Sequence, residues 1–454
     1  MIMIGYLPMD FQNQALVSDL YELTMLQAYT GLDMDQEAVF SLFVRKLPQN
    51  RNYLLACGLD DILDLVQDMR FSSSALAYLK SLKLFQPEFL DWLREFRFTG
   101  SIFALEEGTP IFSQEPILEV AAPIGQAQLL ETLILNQIHL QTMIASKASR
   151  VVAAARDRRV VDFGLRRMHG IDAGLKAARA MYIAGIQATS NVHAGYTYSL
   201  PLSGTMAHSF IQAHEKERQA FRDFCRFFPE SVLLVDTYDT LQGVQEVINL
   251  AQDLGPDFKV RGIRLDSGDL VRLAFQSRQM LDSAGLQDLH IFASGSLDEY
   301  KIKDILFQGA PIDGFGVGTQ MGISQDAPYL DMVYKLTSYA GEGRLKKSTG
   351  KKTLPWQKQI FRQSNENGYS QDILATWQES YPGEPLLRQV MQGGSRLEPK
   401  RSLDELRERT RAKISLLPTK LQDLDPARQE YPIQISDFLH SEQKRLQQME
   451  HSPA

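Results

Sequence analysis

The sequence predicts an α/β protein whose central part is an irregular (β/α) barrel. From about residue 156, short apolar runs alternate with helical stretches, and repeated β–α units imply a parallel sheet. About eight such runs occur, the number that closes a barrel. No helix fits between GIQATS and GTMAHS, so the barrel is distorted. An open doubly wound sheet is the alternative reading of the same pattern.

The elements follow in order. VSDLYELTMLQAYTG reads as a helix opened by Ser18 or Asp19 and closed by Gly31. AVFSLFVRKL, SIFALEEG and the run from Pro110 to Val120 are strand-like, and Pro123 opens a long helix, apolar on more than one face and therefore buried. These elements make a first domain, 1–145. A second, 146–340, holds the strand candidates RRVVDFG, GIQATS, GTMAHS, SVLLVDT, VRGIRLDSG, HIFASGS, IDGFGVGT and DMVYKL. A third stretch, 341–454, is polar. It contains the basic run Lys346-Lys347 and Lys351-Lys352 and ends in a capped amphipathic helix, SDFLHSEQKRLQQMEH, with a loose tail after Glu450. It is expected to pack on the first domain.

Composition excludes several classes. Forty-eight Lys and Arg against 55 Asp and Glu give a net charge of −7, which argues against a nucleic-acid-binding surface. Cys57 and Cys225 lie in apolar contexts; they are expected to be buried free thiols, in keeping with a reducing cytoplasm. No apolar run reaches the ~18 residues that span a membrane. A soluble, cytoplasmic protein is the expectation.

In parallel barrels the site lies at the carboxyl ends of the strands. Here those ends carry Asp162 with Arg166-Arg167, Thr205 with His208, Asp236 with Asp239, Arg264 with Asp266 and Asp269, Ser294-Gly295-Ser296, and Gly316-Val-Gly318-Thr319. Imidazole can accept a phosphoryl group, move a proton or bind a metal; His208 can equally be a hydrogen-bonded residue closing a buried strand. Arg166-Arg167 offers planar forks for a carboxylate or phosphate, or is a solvated surface pair. Asp266 and Asp269 suit ribose hydroxyls or hydrated Mg²⁺; helix capping by Asp269 or Ser267 is the plainer use. The two consecutive glycine turns admit a phosphate to backbone N–H groups, although such turns are common at strand ends. The basic run is a solvated loop, or closes over a pyrophosphate. Together these residues suit phosphoribosyl transfer better than hydrolysis. The chain lacks a Gly-x-Ser-x-Gly elbow, a Walker loop and His-Glu-x-x-His.

DLYELTM (19–25), FSLFVRKLP (40–48), DFGLRR (162–167), GTMAHSF (204–210), VDTYDT (235–240), VRGIRLDSGDL (260–270), FASGSLDE (292–299) and FGVGT (315–319) occur in this order. Through them the chain closely resembles the nicotinate phosphoribosyltransferase family. The resemblance implies an irregular (β/α) barrel with an N-terminal α/β domain packed against it, working as a homodimer. It implies that nicotinate and 5-phosphoribosyl 1-diphosphate are joined to give nicotinate mononucleotide, with ATP hydrolysis coupled through a phosphohistidine and Mg²⁺ or Mn²⁺ as cofactor. By motif position the phosphohistidine is His208. Tyr21, Thr205, Arg264 and Arg166 are expected to contact nicotinate. Arg45, Asp269, Ser294, Gly295, Gly316, Gly318 and Thr319 are expected to contact the phosphoribosyl diphosphate. Asp266 is expected to be catalytic and to meet the metal. Tyr21 and Arg45 are expected to reach the neighbouring subunit's site. Where the family often has Gly, this chain has Trp356, which leaves the shape of that loop open.

Related nicotinamide-using enzymes place an acid near the amide, at the position that aligns with Ser190. Residues 185–214 contain no Asp or Glu, so a carboxylate substrate is not repelled. Two rivals are a nicotinamide or quinolinate enzyme, and a barrel that binds phosphoribosyl ligands without turnover. The length and GTMAHSF argue against a quinolinate enzyme; His208, Arg264 and Asp266 argue against a mere binder.

Overall fold

The computed structural model describes residues 11–346 and 353–449. The chain divides into two compact units, Met1–Ala145 with Tyr329–Ala454, and Ser146–Pro328.

The first unit is built on a seven-stranded antiparallel sheet. Its order is Glu342–Gly343, Met332–Tyr339, Glu37–Val44, Pro116–Pro123, Ser101–Ala104, Arg388–Gln392, Ser395–Arg396. Glu37–Val44 is central and buried on both faces after its first residue, as its unbroken apolar run requires. The helix Leu20–Gly31 starts where the sequence placed it. Asp19 holds the cap position without a capping bond; its carboxylate instead accepts the Thr132 hydroxyl at 2.8 Å. The long apolar stretch forms two helices, Ile124–Leu129 and Glu131–Ala155.

DMVYKL, expected as a strand of the parallel sheet, instead pairs antiparallel with Glu37–Val44. The chain therefore returns to the first unit at Tyr329, not after residue 340. The polar stretch beyond it is structured. Lys358–Asn365 and Gly368–Thr376 form a hairpin in a second sheet of four strands. Arg362, inside that hairpin, is 1% exposed and pairs with Asp372 at 2.6 Å. Trp356 lies at φ +67, in the left-handed region where glycine is at no disadvantage. Its indole N–H donates to Glu442 at 3.1 Å. The closing helix is Asp437–Gln448, with Ser436 accepting the Leu439 N–H as cap. Lys347, Lys351, Lys352 and the tail after Glu450 lie outside the described residues.

The second unit holds a six-stranded, all-parallel sheet in the order Ala188–Thr189, Arg159–Asp162, Gly314–Val317, His290–Ala293, Gly262–Leu265, Val232–Leu234. It is a parallel half-barrel. Among the described residues no ladder joins Ala188–Thr189 to Val232–Leu234, so pairing does not close the ring. GTMAHS was expected as a strand but is a loop running into a short helix, His208–Gln212; only Leu202 bridges to Thr189. Three helices that follow strands are capped by aspartates. Asp239, Asp269 and Asp298 accept the N–H of Gln242, Arg272 and Lys301 at 2.8, 3.1 and 2.8 Å. A cap of this kind contributes about 1 kcal/mol.

Candidate active site

The carboxyl ends of the parallel strands and the loop 204–208 beside them bring five of the expected residues together. Arg264, next to last in the strand Gly262–Leu265, reaches sideways. One terminal nitrogen donates to the Thr205 hydroxyl at 2.6 Å, and the other lies 3.5 Å from Asp266. The guanidinium stands 5.8 Å from the Phe163 ring centroid, close enough for cation–π attraction. Burial, opposed by Asp266 and Asp236 and helped by Arg166, lowers the Arg264 pKa from its usual value. Its Nε is buried with no hydrogen-bond partner. An Arg with an unused buried donor is primed for an acceptor from a ligand.

Asp266 also takes the Ser294 hydroxyl, and its backbone N–H donates to Asp236 at 3.0 Å. His208 begins its helix with Nδ1 3.1 Å from the Thr237 hydroxyl and Nε2 4.0 Å from Asp266. Its side chain is 39% exposed, so the ring is accessible to a ligand. Thr205, His208, Arg264, Asp266 and Ser294 thus form one cluster.

The glycines have local reasons to be glycine. Gly295 has φ +94, and a Cβ there would fall 1.8 Å from the Asp266 carbonyl oxygen. At Gly316 a Cβ would fall 2.4 Å from the Phe163 ring. At Gly318 it would meet the Phe163 carbonyl oxygen at 3.1 Å, and Thr319 starts a helix of only four residues. Arg166 is exposed in the short helix Leu165–Arg167. Asp269 is exposed and caps the helix Leu270–Ser283, the plainer of its two expected uses.

Beside Phe163, Thr205, Arg264 and Gly316 lies a cavity of about 500 Å³, within the usual range for small-ligand sites. It continues along the sheet to Arg159 and His290 at the opposite strand ends. Among the described residues no group of three or more His, Cys, Asp or Glu side chains is arranged to hold a metal. One carboxylate, Asp266, with a second buried oxygen on Asp236 that lacks a partner, suits a hydrated Mg²⁺ delivered by a diphosphate better than a resident ion.

Tyr21 and Arg45 belong to the first unit. Tyr21 is 45% exposed; burial and the nearby Glu131 and Glu22 carboxylates raise its hydroxyl pKa. Arg45 pairs with Asp331 at 3.2 Å, and its Nε is buried without a partner. Cys57 is buried and Cys225 only half-buried, and neither is in a disulfide. Phe163 and Thr237, which sequence reasoning gave no role, and Asp236, which it named only as a strand end, are structurally central. The signal for the last two was VDT directly after an apolar run.

The geometry defines an α/β protein with a polar site on the carboxyl edge of a parallel sheet. Comparison with known proteins makes this specific: the chain belongs to the nicotinate phosphoribosyltransferase family. Three family models match it: the nicotinate phosphoribosyltransferase N-terminal domain at 16–139, the family itself at 158–377, and its C-terminal domain at 375–443. Nicotinate phosphoribosyltransferase pncB2 of Mycobacterium tuberculosis is 50% identical over 433 residues, 95% of this chain and 94% of that one. Nicotinate phosphoribosyltransferase of Bacillus subtilis is 38% identical over 82% of this chain and 78% of its own. The crystal structure of human nicotinic acid phosphoribosyltransferase superposes with a TM-score of 0.85 at 27% identity, covering 94% of this chain and 99% of that one. No helix among the described residues is long and apolar enough to cross a membrane.

Proposed function

We propose that the chain is a nicotinate phosphoribosyltransferase. It joins nicotinate to 5-phosphoribosyl 1-diphosphate, giving nicotinate mononucleotide and diphosphate. ATP hydrolysis drives the reaction through a phosphohistidine at His208, and the product feeds NAD biosynthesis from nicotinate. The observation that carries this reading is Arg264. It is a desolvated guanidinium with an unused donor, bonded to Thr205 and bordering a cavity of ligand size.

In this reading Arg264 and Thr205 bind the nicotinate carboxylate, with Arg166 near the mouth and Tyr21 supplied by the neighbouring subunit of a homodimer. Ser294, Gly295, Gly316, Gly318, Thr319 and Asp269 surround the phosphoribosyl diphosphate, with Arg45, like Tyr21, supplied by the neighbouring subunit. The pyridine nitrogen forms a bond to C1′ as the C1′–oxygen bond breaks, its electron pair leaving on diphosphate. The transition state resembles a ribosyl cation, so the Asp266 carboxylate stabilises it electrostatically. The remaining task is to hold the two substrates in line. Asp266 would hold a Mg²⁺ or Mn²⁺ bound there, and such an ion would supply positive charge against the leaving diphosphate. His208 accepts the terminal phosphoryl group of ATP on a ring nitrogen as ADP leaves, the N–P bond is later cleaved by water to release phosphate, and the histidine is not the ribosyl nucleophile. The discriminating variant is His208→Ala. It should keep measurable ATP-independent turnover and lose ATP stimulation; persistent stimulation would sink the histidine's role.

A further inference from the structure

The strand Val232–Leu234 and its neighbour Gly262–Leu265 are joined by parallel pairing that ends with the Val235 N–H donating to the Arg264 carbonyl at 3.3 Å. Beyond that bond the two chains separate into the turns that carry the site. Asp236 spans the gap. It is only 9% exposed. One oxygen, Oδ2, accepts both the Asp266 backbone N–H at 3.0 Å and the Ser267 hydroxyl at 2.6 Å. Its other oxygen is buried with no hydrogen-bond partner. A buried carboxylate is expensive unless it is used, and this one puts both donors on one atom, fixing the 266–267 turn.

The next residue, Thr237, places its hydroxyl 3.1 Å from His208 Nδ1. On the other arm, Asp266 points a carboxylate oxygen at His208 Nε2 from 4.0 Å and takes the Ser294 hydroxyl. The connections form a ring: His208 to Thr237, along the chain to Asp236, across to Asp266, and back to His208. Asp236 is its cross-member. If it is removed, the Thr237 arm and the Asp266 arm can move independently, and the imidazole loses its fixed place between them.

We propose that Asp236 is a positioning residue: by clamping the Asp266 turn to the Thr237 turn it holds His208 in register with Asp266, and so couples ATP to ribosyl transfer. This rests on the function proposed above. It gives a carboxylate that touches neither arginine fork nor imidazole a role in energy coupling.

The test uses the purified full-length chain and the ratio of ATP-stimulated to ATP-independent turnover, with phosphate incorporated from labelled ATP as a second readout. Misplacing a reacting group by about 1 Å costs on the order of 10²-fold, so Asp236→Ala should lower the ratio by about tenfold or more. Asp236→Asn keeps an oxygen able to accept both donors and should restore the ratio to within about threefold of wild type. A loss of fold would not be rescued in this pattern. An unchanged ratio in Asp236→Ala, or an Asn variant as defective as the Ala variant, overturns the proposal. Should Asp236→Ala fail to fold, Thr237→Val tests the same ring: a lowered ratio supports it, and an unchanged ratio overturns it. A wild-type chain without ATP stimulation would refute the underlying functional reading instead.

Discussion

Replacing Gly295 by alanine should damage turnover as well as stability. The residue sits at φ +94, and its missing Cβ would lie 1.8 Å from the Asp266 carbonyl oxygen and 2.8 Å from the carbonyl carbon. The obstacle is backbone, not the end of a flexible side chain, so one turn must move. Side-chain strain at positive φ costs about 1–2 kcal/mol, and the forced backbone shift adds about 1–3 kcal/mol. The displacement falls on Asp266 itself, whose carboxylate holds Ser294 and Arg264. A shift of about 1 Å there predicts a loss on the order of 10²-fold in kcat. The control is Gly285→Ala. Gly285 also has positive φ, +77, but nothing lies within 4 Å of its Cβ position. It should pay only the ~1–2 kcal/mol of strain and retain full turnover. Steady-state kinetics and thermal melting of both variants decide the matter. A Gly295→Ala enzyme with wild-type kcat would refute the claim that this turn fixes Asp266.

Arg264→Lys should lower kcat/KM for nicotinate by roughly 10- to 150-fold, the ~1.5–3 kcal/mol of a charge-assisted hydrogen bond, because an ammonium cannot serve Thr205, Asp266 and a carboxylate together; unchanged nicotinate kinetics would remove Arg264 from recognition. Ser190→Asp puts an acid after the strand Ala188–Thr189, where the Ser190 N–H donates to the Asp162 backbone carbonyl at 2.9 Å. Like-charge repulsion should weaken nicotinate use and not nicotinamide binding, which competition assays measure. Glu22 is buried, and that burial pushes its carboxyl up to about 7 against the Thr132 hydrogen bonds. A folded pKa above the ordinary 4.5 means the fold favours the protonated acid. Its stabilising effect is full below 4.5 and is lost as pH rises towards 7. Melting curves should show the Glu22→Gln variant gaining on wild type across that window; parallel curves would contradict this.

Much of the parallel sheet was legible because its strands are apolar on both faces and end in turns that carry polar residues. VVDFG, LLVDT, GIRLDSG and IFASGS each announce both the strand and its functional end. GTMAHS misled because small residues carry no burial signal; Pro201 and Gly204 favour the loop that forms. DMVYKL was legible as a strand but not in its partner, since periodicity says nothing about which sheet a strand joins. The hairpin of 358–376 stayed hidden for a different reason. Lys358, Gln359, Arg362 and Asp372 are buried there, so alternation of polarity does not report its faces. In the site, residues read as strand ends, from Thr205 to Ser294, came together. Asp236 reads in the sequence only as one more polar strand end, since its bonds across to Asp266 and Ser267 leave no trace there; Thr237 was passed over.

The base that the protein uses is decided by one assay. Purified chain, 5-phosphoribosyl 1-diphosphate and Mg²⁺ are incubated with nicotinate or nicotinamide, each with and without ATP, and mononucleotide formation is followed by chromatography. The arrangement around Arg264 predicts nicotinate mononucleotide, formed faster with ATP, and little product from nicotinamide. Preference for nicotinamide, or no nucleotide from either base, would contradict it.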